Sequence, residues 1–220
     1  MSAASPHSKI INAVARAKLR PLGIQQKGRS RVWYDDRRWH GILIEFQPSG
    51  FSKMSSLNVA VAWFWYPKEH WSFDWGKREP GWAEFDGDEA QFQRDFEVLA
   101  DAATEAVNYY RARTGTLREA YEGLLENHKQ FTRPGGWPDV HLGMLAALNG
   151  QCDQAEKLLS YVANEEGETK AYMSLKRFCN QAIAHLGNPE SLRTWVEGNI
   201  AECRSLRRLP PLDPPTLPSS

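Results

Sequence analysis

The run Lys27-Gly28-Arg29-Ser30-Arg31 has the residue types that hold an anion. A glycine lets backbone N–H groups converge, and two guanidinium groups offer paired donors to a phosphate or carboxylate. The competing use is a solvated loop, or Arg29 paired with an acid such as Glu45. Glu45 and Gln47 stand two residues apart, so a strand presents both on one face. The third grouping is aromatic. Trp33, Trp39, Trp63, Trp65, Trp71, Trp75 and Trp82 lie within fifty residues of one another. Trp63 and Trp65 share a face if their strand is regular, and Trp71, Phe73 and Trp75 do so on the next. Paired, these strands form a wall of rings with Glu45 and Gln47 as polar handles beside it. Such a wall binds a peptide or partner helix, because Trp supplies large contact area at small entropic cost. It serves equally as core if the N-terminal helix and the helix from Asp88 cover it. The candidate ligand- or partner-binding residues are Arg29, Arg31, Glu45, Gln47, Trp63, Trp65, Trp71 and Trp75.

No catalytic residue is nominated. The chain has no phosphate-loop motif, no Gly-x-Ser-x-Gly elbow and no His-Glu-x-x-His pair. Its six histidines are scattered without metal-ligand spacing, so neither a metal nor a cofactor is expected. Asp86-Gly87-Asp88-Glu89 reads as a helix start, where acids complement the dipole, rather than as a calcium loop. Cys152, Cys179 and Cys203 are an odd number and form no C-x-x-C pair, which suits buried thiols in a reducing cytoplasm. No apolar run approaches the ~20 residues of a membrane helix.

These residues must be positioned by two unlike halves. The 220 residues carry 27 basic and 27 acidic side chains, yet the zero net charge is uneven. Residues 1–40 hold nine basic side chains against two acidic ones, a surplus of seven, and residues 84–105 are strongly acidic. The front is aromatic with period-2 alternation. The back is rich in Ala, Leu and Glu. That succession predicts an α+β fold: an N-terminal helix over 8–20, a curved antiparallel sheet of about four strands within 31–76, and a helical C-terminal half. Strands are predicted at 31–34, 39–47, 57–66 and 71–75. Ile42, Ile44 and Phe46 oppose Leu43, Glu45 and Gln47 across the second, and the third is apolar on both faces, as a central strand is. Ser8 is the expected cap of the first helix. Asp88 with Gln91, and Thr116 with Glu119, read as capping boxes opening helices over 88–113 and 116–131. Residues 134–138 read as a hinge. Helices then follow at 139–149, 153–164, within 168–186, and from Pro189, capped by Asn188, to about Arg208. The hairpin 139–164 resembles a single tetratricopeptide unit, without a second copy. The expected organisation is an α+β domain over 1–132, a helical extension over 133–208, and a Pro-rich tail over 209–220 that is extended or disordered.

Several ordered blocks resemble the domain-of-unknown-function family 4304. They are Leu19-Arg20-Pro21-Leu22-Gly23-Ile24, Lys27-Gly28-Arg29, Trp33-Tyr34, Ile44-Glu45-Phe46-Gln47-Pro48-Ser49, Leu57-Asn58-Val59 through Trp63-Phe64-Trp65-Tyr66, then Ser72-Phe73-Asp74 and Arg78. They span roughly residues 8–115. The resemblance implies an α+β domain with a curved antiparallel sheet and packed helices, and no established activity. The leading functional expectation is a non-catalytic, cytoplasmic protein-interaction domain, of the kind found in immunity or inhibitor proteins, with another protein as partner. One alternative is an enzyme acting on a small molecule or nucleotide, with Arg29, Glu45 and Gln47 lining a cleft on the sheet. Another is weak nucleic-acid binding through the basic residues 9–38.

Overall fold

The computed structural model describes residues 5–129, 135–167, 169–213 and 217–218. It is α+β. Helix α1 (Pro6–Leu19) leads through a short 3-10 turn into strands β1 (Gln25–Gln26), β2 (Val32–Asp36), β3 (His40–Pro48), β4 (Met54–Trp63) and β5 (Trp75–Glu84). Helices α2 (Glu89–Arg113), α3 (Leu117–His128), α4 (Gly136–Leu148), α5 (Cys152–Asn164), α6 (Lys170–His185) and α7 (Pro189–Leu206) follow. The strands form one open antiparallel sheet in sequential order, with β1 and β5 at its edges. The chain packs as two compact units. The sheet unit comprises Met1–Ala62 and Gly76–Tyr110, and the helical unit comprises Trp63–Trp75 and Arg111–Ser220.

In the sheet unit, Val32 pairs with Glu45 and Trp33 with Ile44. Cross-strand partners share a face, so Trp33, Ile42, Ile44 and Phe46 line one side while Tyr34, Leu43, Glu45 and Gln47 line the other. The first side is the main core, and on the second Leu43, Ala60 and Ala62 are buried while Glu45, Gln47 and Asn58 are half-buried. Phe46 meets Phe96 of α2 at 4.7 Å, and Ile11, Val14, Ala15 and Leu19 of α1 are buried. Gly76 lies so close to β4 that an added Cβ would stand 2.2 Å from the Ala60 Cβ and 2.3 Å from the Val59 carbonyl oxygen. The small Ala60 meets a glycine of the neighbouring strand.

The last strand differs from expectation. Residues 71–74 are irregular and β5 runs from Trp75 to Glu84. Pro80 and Gly81 (φ 93°) argue against a strand in isolation, but an edge strand has one side that donates to nothing and tolerates both. Strand β4 likewise ends at Trp63 rather than Tyr66. Among the helices, Thr116 and Glu119 form the full reciprocal capping box. Asp88 accepts the Gln91 N–H at 2.9 Å, but the Gln91 side chain turns forward to Asp95. Helix α1 starts before Ser8, which lies inside it with Ser5 at the cap. Helix α4 opens at Gly136, since the first turn needs no N–H from Pro138. The expected helix end at Phe131 and the hinge residue Pro134 lie outside the described residues, as do Pro214 and Pro215. The described tail has no regular structure and is held in the helical unit. Leu209 and Leu217 are buried, and the Leu217 N–H donates to Glu197 at 3.2 Å. No helix of the described residues is long and apolar enough to cross a membrane.

Candidate functional site

In the helical unit the tryptophans form core. Trp63 stacks on Trp65 at 4.6 Å and lies parallel to Trp75 at 6.3 Å. Trp63 and Trp65 are wholly buried and Trp75 nearly so. The wall is therefore closed within the helical unit, where His141 of α4 and Gly123 of α3 pack against it. Trp65 Nε1–H donates to His141 Nδ1 at 3.2 Å, and His141 stacks against Trp137. Trp71 is displaced from its expected strand. It lies edge-on to Phe64, and both rings face the Arg207 guanidinium at 4.8 Å.

Asp74 anchors this arrangement. It accepts the Trp63 backbone N–H at 2.8 Å, pairs with Lys68 at 3.3 Å, and lies 3.5 Å from His141 Nε2. Burial alone would favour the neutral acid. His141 and Lys68 outweigh it and hold the carboxyl below its ordinary range. With His141 Nδ1 accepting from Trp65, its proton sits on Nε2, facing Asp74. An Asp–His pair is the hardware of general base catalysis, but here the imidazole is 0% exposed. A substrate cannot reach it.

The sheet unit offers the accessible site. On the side opposite the core, Asn58 Nδ2 donates to Glu45 Oε2 at 3.1 Å and to Gln47 Oε1 at 3.0 Å. Arg78 Nε donates to Asn58 Oδ1 at 3.3 Å, and Arg78 Nη2 to Gln47 Oε1. Arginine has donors only, so both amides must turn their oxygens toward it. That fixes the polarity of the cluster. The Arg78 Nη1 and Gln47 Nε2 groups have no partner among the described residues, and Arg78 is in no ion pair. Gly81, three residues beyond Arg78 and so on the opposite face of the strand, faces Leu99 of α2. Trp82 therefore lies on the Arg78 side, and it is 64% exposed. The result is an oriented guanidinium and an amide N–H₂, with an exposed indole about 13 Å farther along the same strand. This set suits a carboxylate carried on a chain with apolar surface.

Glu45 and Gln47 are thus brought together, with Asn58 and Arg78 completing the cluster. Arg29 is exposed in the turn before β2 and bonds to neither. Arg31 lies on the core side of the sheet, away from Glu45, and donates to Ser55 at 3.1 Å. Sequence reasoning missed Trp82 because Pro80-Gly81 hid its strand. The spacing of Arg78 and Trp82, four apart, was the available signal. Among the described residues no group of three or more His, Cys, Asp or Glu is arranged to hold a metal ion. In comparisons with protein-family models, curated proteins and solved structures, nothing matched the chain.

Proposed function

We propose that this chain is a non-catalytic binding domain that docks an acidic segment of another protein on the open side of its sheet, in a reducing compartment such as the cytoplasm. The observation carrying this reading is Arg78: exposed, oriented by Asn58 and Gln47, in no ion pair among the described residues, and on the same strand as exposed Trp82, four residues on. Arg and Trp are the residue types on which interface energy concentrates, each contributing about 2 kcal/mol or more at a hot spot. The sealed Asp74–His141 pair supports a non-catalytic role, and three free thiols suit the compartment. We also propose membership of the domain-of-unknown-function family 4304, since Glu45, Gln47, Asn58 and Arg78 all fall in stretches carrying that resemblance. The test is quantitative affinity purification from the native cell with the wild-type chain and with Arg78→Ala. The same acidic-segment protein should be enriched by the first and depleted at least tenfold with the second. Identical captures, or no capture, would overturn the reading.

A further inference from the structure

A second polar cluster lies in the sheet unit, on the core side where α1 begins. The His7 imidazole stacks on Phe85 at 5.7 Å and meets Phe92 edge-on at 6.4 Å. Its Nδ1 is buried and has no hydrogen-bond partner. Phe85 also faces the Lys53 ammonium, 5.3 Å from the ring centroid, and its N–H donates to the Lys53 carbonyl at 3.1 Å. Half-buried Arg31 completes the group, its Nη1 donating to the buried Ser55 hydroxyl. Among the described residues neither Arg31 nor Lys53 is in an ion pair. The first turn of α1 has no acidic residue, and the Ser5 side chain does not cap it.

Clustering cations without a counter-charge is costly. Burial pulls down the pKa of both His7 and Arg31, and the charges of Arg31 and Lys53 depress His7 further. An anion removes each of these costs together. It pairs with two cations, accepts a hydrogen bond from a protonated His7 Nδ1, and can accept another from the Ser55 hydroxyl. A tetrahedral oxyanion has acceptors enough for all four donors.

We propose that His7, Arg31, Lys53 and Ser55 form a phosphate-binding site, distinct from the Arg78 surface on the other side of the sheet. The phosphate group is either that of a soluble phosphorylated compound or that of a lipid headgroup. The second source draws on Phe51, which is fully exposed two residues before Lys53.

The test uses the full chain with labelled histidines and inorganic phosphate, at an ionic strength held constant with chloride. The His7 ring signals should move saturably while those of His40, buried in the same unit, stay fixed. In the Arg31→Gln/Lys53→Gln variant the affinity should fall at least tenfold, with an unchanged His40 signal reporting an intact fold. A His7 ring that does not respond, or that responds equally in the variant, overturns the proposal. A parallel arm uses vesicles of phosphatidylcholine with and without phosphatidic acid. Sedimentation with the acidic vesicles, lost in the double variant and weakened by Phe51→Ser, assigns the site to headgroups. A phosphate response without sedimentation assigns it to soluble phosphates.

Discussion

The Asp74 carboxylate accepts the backbone N–H of Trp63, eleven residues earlier, at 2.8 Å. That one bond closes the segment between β4 and β5 into a loop whose Phe64 and Trp65 are core of the helical unit. Lys68, inside the loop, supplies the counter-charge, its ammonium 4.7 Å from the Trp137 ring centroid.

Breaking this pair from one side should be severe. Asp74→Ala leaves a buried ammonium and an orphaned N–H, and should cost about 3–5 kcal/mol in urea unfolding. Replacing both members, as in Asp74→Leu/Lys68→Met, should recover a large part of the loss. A single variant within ~0.5 kcal/mol of the wild type would show that the pair does not hold the loop.

Acid should destabilise the chain in two separate windows. His40 is fully buried and its pKa is pushed down to about 3, by burial first and Arg37 second. The unfolded chain takes up a proton near pH ~6.5 that the folded chain refuses. Stability from a neutral His40 is therefore complete above that pH and declines on acidification until the folded value is reached. Asp74, also depressed, contributes above its unfolded value of about 3.9 and loses that contribution below it. In His40→Gln, the slope of unfolding free energy between pH 6 and pH 4 should flatten by up to about 1.4 kcal/mol per pH unit. An unchanged slope would place His40 in contact with solvent.

Thiol chemistry should separate the cysteines. Burial pushes Cys179 up to about 12 and raises Cys203 as well, while Cys152 is half-buried. A thiol-reactive dye at pH 8 should label Cys152 first, and the other two only when urea unfolds the chain. Equal labelling rates in the folded protein would contradict this burial order.

The close approach of β5 to β4 predicts that Gly76→Ala is destabilising. The new methyl group has no flexible neighbour to displace, since the Val59 carbonyl oxygen lies 2.3 Å away. A loss of roughly 1–3 kcal/mol or more in thermal or urea unfolding is expected.

The sequence was most legible where period and punctuation agreed. Thr116–Glu119, Asn188 with Pro189, and the alternation of Ile42, Ile44 and Phe46 placed their elements within a few residues. It was least legible where tertiary context reversed a local preference. Pro80 and Gly81 are tolerated because β5 is an edge strand, which no local pattern states. Trp71–Trp75 alternates like a strand, but Asp74 spends its hydrogen-bonding capacity on Trp63 N–H and Lys68. For the site, Glu45 and Gln47 could be read from strand alternation. Their partner Arg78 could not, because it is 20 residues past Asn58 on a strand of hidden identity. The aromatic spacing was a true signal of packing, and α4 rather than an outside partner occupies the wall.

The central claim is that a protein partner docks beside Arg78 and Trp82. Its most direct measurement is photocrosslinking in the native cell, with benzoylphenylalanine at position 82 of the full chain and, as control, at exposed Tyr161 of α5. The account predicts one dominant adduct from position 82, through a segment rich in Asp and Glu, absent from position 161 and lost on adding Arg78→Ala. Adducts that are absent, shared by both positions or indifferent to Arg78 would contradict it.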